Sequence, residues 1–408
     1  MEFIDGSIAS PLGIQAAGVS AGLKEGSSPD LALLLCKGMG TAAAVFTQNQ
    51  IQGHSLKRSR RIIDRNGPVH AILINSGNAN ACVGAQGDED AETLAEWASK
   101  HLGQLPDEVI TMSTGIIGEP LPMETIRQGL AEAVSSLAHD REAGQLAEEA
   151  IMTTDTVPKS ATVTFDIGGK EVTLSGMAKG SGMIHPNMAT LLGVITTDCA
   201  VDREFLQDTL RKAVDKTFNR VTIDGDTSPC DMVVAVSSGL ADNETVGSGE
   251  HGSDTADAKA FAMALETVLM RLARMIAGDG EGATKLIDVR VEGAETPRDA
   301  YEVALSVASS PQFKTAMFGE VADWGRIIAA VGNSIAIVDP DRIDINLGQL
   351  EVCRDGALVP FDEERADKIM SNPEIIITID LGRGAYADHY WTCDYSYDYV
   401  KINSSYHD

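Results

Sequence analysis

Residues 161–197 read as a hairpin that runs through a glycine-rich apolar loop into a third strand, and this run limits the possible folds more than any other feature. The stretch ATVTFDIGGKEVTL (161–174) alternates apolar and polar residues around Gly168-Gly169, a two-residue turn signal that predicts paired antiparallel strands. The following SGMAKGSGMIHPNMATLL (175–192) carries three glycines and a proline and predicts irregular backbone. GVITT (193–197) then reads as a strand. An apolar loop feeding a strand in this way is unusual.

The rest of the chain alternates strand-like and helix-like segments. AILIN (71–75) is a short apolar strand, and 90–101 is an amphipathic helix that opens with acids. EVITM (108–112) is a strand that breaks at Ser113-Thr114-Gly115, a loop on this reading, and 123–137 is a helix begun after Pro122. Helical spacing recurs over 203–218 and 255–277, the second run stopping at GDGEG (278–282) before the strand-like 284–291. Helical runs near 301–318 and 321–330, a strand EIIITID (374–380) and an aromatic tail follow. The fold class is therefore α/β or α+β, with neither short repeats nor a low-complexity linker.

Charge and cysteine usage narrow the function. Lys plus Arg number 32 against 60 Asp plus Glu, a formal charge of −28 that repels nucleic-acid phosphates and anionic lipid. Neither nucleic acid nor membrane is expected as a partner, and a small anionic substrate would need a local cation. Six scattered cysteines without a C-x-x-C pair fit a reduced, cytoplasmic setting. The start, MEFID, lacks a basic segment followed by an apolar one, and no apolar run of about 18 residues is present.

Most catalytic motifs are absent. Neither GMAKGSGM nor GDGEGATK has P-loop spacing, and GDGEG follows a helix instead of opening one, so a helix stop explains it better than a phosphate site. The acid-rich DGDTSPCD (224–231) has Ser228-Pro229 where an EF-hand needs an acid or amide and a glycine, and no H-E-x-x-H occurs, so no metal is expected. A hydroxyl nucleophile remains. Threonine at a chain N-terminus carries its own base, because a free α-amine has a pKa near 7.7–8.0. Thr190 follows Met188-Ala189 in a loop rich in small residues and precedes the strand 193–197, so a cut there would free such an amine. On spacing alone, a threonine at a strand edge is far more often structural.

The segment KGSGMIHPNMATLLGVITTD (179–198) resembles the maturation site of the ornithine acetyltransferase family. NSGNANAC (75–82), STGIIG (113–118), TTDTVPK (153–159), GDGEGATK (278–285) and DYVKIN (398–403) resemble further family blocks, in family order across nearly the whole chain. The resemblance implies a layered α/β sandwich and a precursor cut between Ala189 and Thr190. The resulting α chain (1–189) and β chain (190–408) would form one catalytic unit, associated as α2β2. It implies acetyl transfer from N-acetylornithine to glutamate by a ping-pong route. Thr190 would be the nucleophile and its freed amine the base, with the Thr114 hydroxyl and Gly115 N–H as the oxyanion hole. Thr153, Lys179, Thr190, Glu281, Asn403 and Asp408 would bind substrate, Lys179 facing an α-carboxylate. No cofactor is implied, and acetyl-CoA stands open as a second donor substrate. The chain departs from the family at its end, Tyr406-His407-Asp408, where a hydroxyl residue usually stands. A carboxylate there bears on acceptor preference. An aminopeptidase or amidohydrolase of similar self-cleaving architecture is the alternative, with water resolving the same acyl-threonine.

Overall fold

The structure, a computed structural model, describes residues 1–186, 191–249 and 252–405. Two sheets lie face to face in the first part of the molecule. One has six strands in the order Glu2–Ile4, Lys159–Ile167, Lys170–Lys179, Leu192–Thr197, Met232–Ser237 and Thr41–Phe46. The other has four, in the order Ile14–Val19, Leu31–Cys36, Ala71–Asn78 and Val109–Ile116.

Side-chain alternation along these strands builds the layers, since successive residues point to opposite faces. Val194, Val234 and Met232 of the larger sheet meet Ala32, Leu34, Ile72 and Ile110 of the smaller in one shared core. On the outer face of the larger sheet, Val163, Ile195 and Val233 pack under the helices Arg203–Lys216 and Ala256–Gly278. On the outer face of the smaller, Leu31, Leu33 and Leu73 pack under Ala85–Leu102 and Met123–Ser135. The result is a helix, sheet, sheet, helix sandwich. Burying each leucine, isoleucine or phenylalanine contributes about 1.5–3 kcal/mol.

A second six-stranded sheet, ordered Ala357–Leu358, Leu350–Arg354, Asp344–Leu347, Glu374–Asp380, Leu286–Ala294 and Tyr386–Cys393, has its own core with the helices Pro297–Ala308, Pro311–Phe318 and Trp324–Gly332. Strand Tyr386–Cys393 joins the two cores: Tyr390 points into the second, Trp391 and Cys393 into the first. Among the described residues no helix is long and apolar enough to cross a membrane, and all six cysteines are unpaired.

Three sequence expectations change. Ser113, Thr114 and Gly115 are not a loop but the end of strand Val109–Ile116, paired in parallel with Ser76 and Gly77 of the neighbouring strand. Ser175 to Lys179 are likewise strand, since Lys170–Lys179 runs unbroken and pairs with Leu192–Thr197. The helical run over 301–318 is two helices, because Pro311 starts a new one, capped by Ser310. The hairpin about Gly168-Gly169, both at positive φ, is as expected.

Candidate active site

The segment around the site is anchored by strand pairing. Leu192, two residues after Thr190 in sequence, pairs with Lys179 on one side and Met232 on the other. A cavity of about 170 Å³ opens beside this point. Thr114, Gly115, Thr153, Lys179, Glu281 and Asn403 all line it, with Met183, Asp224, Asp226 and Tyr399 among the other walls. Six positions singled out in the sequence, spread over 290 residues, thus meet in one place. Ala189, Thr190 and Asp408 lie outside the described residues.

Gly115 has φ +130°, a conformation that side chains rarely adopt. A Cβ there would stand 2.3 Å from the Gly77 carbonyl carbon, so the two strands approach this closely only because position 115 is glycine. Beneath them the NSGNANAC block holds the strand ends together. Asn78 Nδ2 donates to the Glu119 carbonyl (3.0 Å), Asn75 Nδ2 to the Asn78 carbonyl (2.9 Å), and the Ser113 hydroxyl to Asn75 Oδ1 (2.7 Å).

Lys179 is buried, and among the described residues no carboxylate lies within 4 Å of its ammonium. Asp155 feels its charge. That group would be driven up by burial, but the charges of Lys179 and Lys159 and the bonds from Lys159 and the Gly180 amide outweigh this and hold it down to about 2. Lys159, fully buried, donates to Asp155 Oδ1 (2.6 Å) and Asp279 Oδ2 (2.5 Å). Asp155 also accepts from the amides of Gly180 (2.7 Å) and Thr153 (3.1 Å). One buried triad therefore ties the segments that carry Thr153, Lys179 and Glu281.

Glu281 accepts from Asn403 Nδ2 at 2.7 Å, and its carboxylate packs on Gly182, where a Cβ would be 2.4 Å away. The C-terminal helix Tyr397–Ser405, which bears Asn403, is held at its start by Ser396, whose hydroxyl donates to the Gly282 carbonyl (2.6 Å). On the facing wall Asp224 accepts from the amides of Met183 (2.6 Å) and Ile184 (2.9 Å). Burial raises its pKa against those hydrogen bonds.

No local pattern marks Asp155, Lys159, Asp279 or Asp224 as site supports. Asp155 and Lys159 stand four apart in TTDTVPK, but their partner Asp279 is 120 residues beyond Lys159. Chemically the cavity offers one cation, a carboxylate held by an amide, and a strand end whose glycine backbone is open to a ligand. That set suits a small amino-acid derivative with an anionic and a cationic group.

A family model described as the ArgJ family matches residues 15–408. A protein of Symbiobacterium thermophilum named arginine biosynthesis bifunctional protein ArgJ is 47% identical over the whole of both chains. One of the same name from Caldanaerobacter subterraneus subsp. tengcongensis is 44% identical, again over the whole of both. A crystal structure of an arginine biosynthesis bifunctional protein ArgJ from Bacillus halodurans is 41% identical, covers 52% of this chain and 97% of that one, and superposes with a TM-score of 0.49. By the extent of these matches, the chain belongs to the ArgJ family.

Proposed function

We propose that this enzyme moves an acetyl group from N-acetylornithine to glutamate through an ester on Thr190, after the precursor breaks between Ala189 and Thr190. The observation that carries the reading is the meeting of Thr114, Gly115, Thr153, Lys179, Glu281 and Asn403 around one cavity, beside the strand that begins just after Thr190. Whole-length similarity to arginine-biosynthesis proteins supports it.

In the first half-reaction Thr190 Oγ attacks the acetamide carbonyl while the free α-amine of Thr190 takes the hydroxyl proton. The Thr114 hydroxyl and the Gly115 N–H stabilise the oxyanion. Collapse of the adduct breaks the C–N bond, and the α-amine returns the proton to the departing ornithine nitrogen. In the second half the glutamate amine attacks the ester and leaves as N-acetylglutamate, regenerating the hydroxyl. Lys179 receives the α-carboxylate common to both substrates, and Glu281, oriented by Asn403, receives the ornithine ammonium. Acetyl-CoA would load the same threonine as an alternative donor, consistent with the word bifunctional in the relatives' names. We assign the α2β2 association and the cytoplasmic setting to the same reading, and Asp408 to the acceptor end of the site.

Incubation with N-acetylornithine, with and without glutamate, tests this directly. N-acetylglutamate should appear only when both are present. Free acetate accumulating at a rate indifferent to glutamate would overturn the transferase reading. Thr114→Val should lower kcat about 10²–10³-fold with little change in KM, because it removes one donor to the developing oxyanion. An unchanged kcat would remove Thr114 from that role.

A further inference from the structure

Lys24 is a second cation close to this cavity, just outside its lining, and no step above uses it. It ends the loop of residues 21–24, which one fully buried carboxylate holds in place. Asp30 accepts from the amides of Ala21 (2.6 Å), Gly22 (3.0 Å), Leu23 (2.6 Å) and Lys24 (3.1 Å). The Lys24 stem crosses Gly77, where a Cβ would meet its Cγ at 3.1 Å, and Gly77 is the pairing partner of Gly115. The ammonium donates to the Met152 carbonyl at 3.0 Å, next to Thr153. Lys24 therefore sits next to two lining positions, its Nζ on the residue before Thr153 and its stem against the strand partner of Gly115.

Its charge has no ion-pair partner among the described residues: no carboxylate comes within 4 Å. The two nearby carboxylates are engaged elsewhere, Asp30 by four amides and Asp155 by Lys159, Gly180 and Thr153. An ammonium has three donors, and the Met152 carbonyl takes one. Burial lowers the Lys24 pKa, Asp30 and Asp155 oppose this, and Lys179 adds to it, which sets both lysines in one electrostatic neighbourhood.

The two substrates differ in one relevant respect. N-acetylornithine has a single carboxylate and a side-chain ammonium, whereas glutamate has two carboxylates. We propose that Lys24 receives the side-chain carboxylate of the acceptor, selecting a dicarboxylic amino acid in the second half-reaction while Lys179 holds the α-carboxylate in both. The proposal rests on the acyl-threonine reading. It explains how a chain of charge −28, with Asp226 and Glu281 in the same cavity, admits an anionic acceptor.

The test separates the half-reactions in the matured enzyme. Ornithine release without acceptor reports the donor step, and product formation with glutamate or glutamine reports the acceptor step. Lys24→Met should raise the KM for glutamate at least about tenfold, a larger change than any in the donor step, and abolish the preference for glutamate over glutamine. Lys24→Arg should restore that preference. The glutamate-to-glutamine ratio is independent of how much protein folds, so a preference retained in Lys24→Met, or equal losses in both half-reactions, would overturn the proposal. A wild-type enzyme that releases no ornithine would instead overturn the acyl-threonine reading itself, and the role of Lys24 with it.

Discussion

Thr190→Ala is expected to remain one unbroken chain of 408 residues and to transfer no acetyl group. Both outcomes have one cause. In the precursor the hydroxyl attacks the Ala189 carbonyl, and in the mature enzyme it attacks the acetamide; alanine can do neither. Loss of a hydroxyl nucleophile in a hydrolase lowers turnover on the order of 10⁶-fold, and here the base is lost as well, because no α-amine is freed. Thr190→Ser keeps the hydroxyl and should still be cut, more slowly, and turn over. Intact mass answers the first half: wild type gives fragments 1–189 and 190–408, the alanine variant a single species. The second is read by adding N-acetylornithine without acceptor, when the wild-type β chain alone should gain an acetyl group. A wild-type chain that stays whole while transferring acetyl would place the nucleophile elsewhere.

The layers of the fold were legible where one face of a segment differs from the other. The hairpin 161–174 alternates, its turn is glycine, and the structure has it. Strand Lys170–Lys179 was followed only as far as residue 174. From Ser175 to Lys179 every residue is buried, because the sheet there is covered on both faces, and alternation disappears. Gly176 and Gly180 then read as loop. The same masking hid the end of Val109–Ile116, whose Ser-Thr-Gly is turn-like composition held as strand by its pairing with Ser76-Gly77. Pro311, by contrast, was a visible break within 301–318 that periodicity overrode.

The site was legible in a different way. Residue chemistry alone could nominate Thr190 and little else, since Thr114, Lys179, Glu281 and Asn403 lie on separate elements and have no local pattern in common. Family blocks named them, and the fold brings the described ones to one cavity. What neither route supplied is the support beneath them. Lys159 and Asp279 become partners only when strand Lys159–Ile167 passes the end of helix Ala256–Gly278, and the Lys24 stem comes to rest on Gly77 only when residues 21–24 fold onto the strand Ala71–Asn78.

That support carries the other large expected effect. Lys159→Met fills much of the same volume but leaves Asp155 and Asp279 buried without their shared cation. Breaking a buried ion pair from one side costs about 3–5 kcal/mol, well above the effect of a surface pair. The denaturation midpoint should fall accordingly. The sign with pH follows from Asp155. Its folded pKa is depressed to about 2, so its contribution to stability is present above the unfolded value near 3.9 and is lost as pH falls toward 2. Lys159→Met should therefore lose most relative to wild type near neutral pH and less in acid, where protonation of Asp155 relieves the stranded charge. Neutralising the acids too, as Asp155→Asn with Asp279→Asn and Lys159→Met, should return part of the stability, because whole buried ion clusters are often replaceable. It should not return a normal KM for N-acetylornithine, since the charge beside Lys179 and the tie between the Thr153, Lys179 and Glu281 segments would still be missing. A triple variant with wild-type KM would show that the triad serves stability alone.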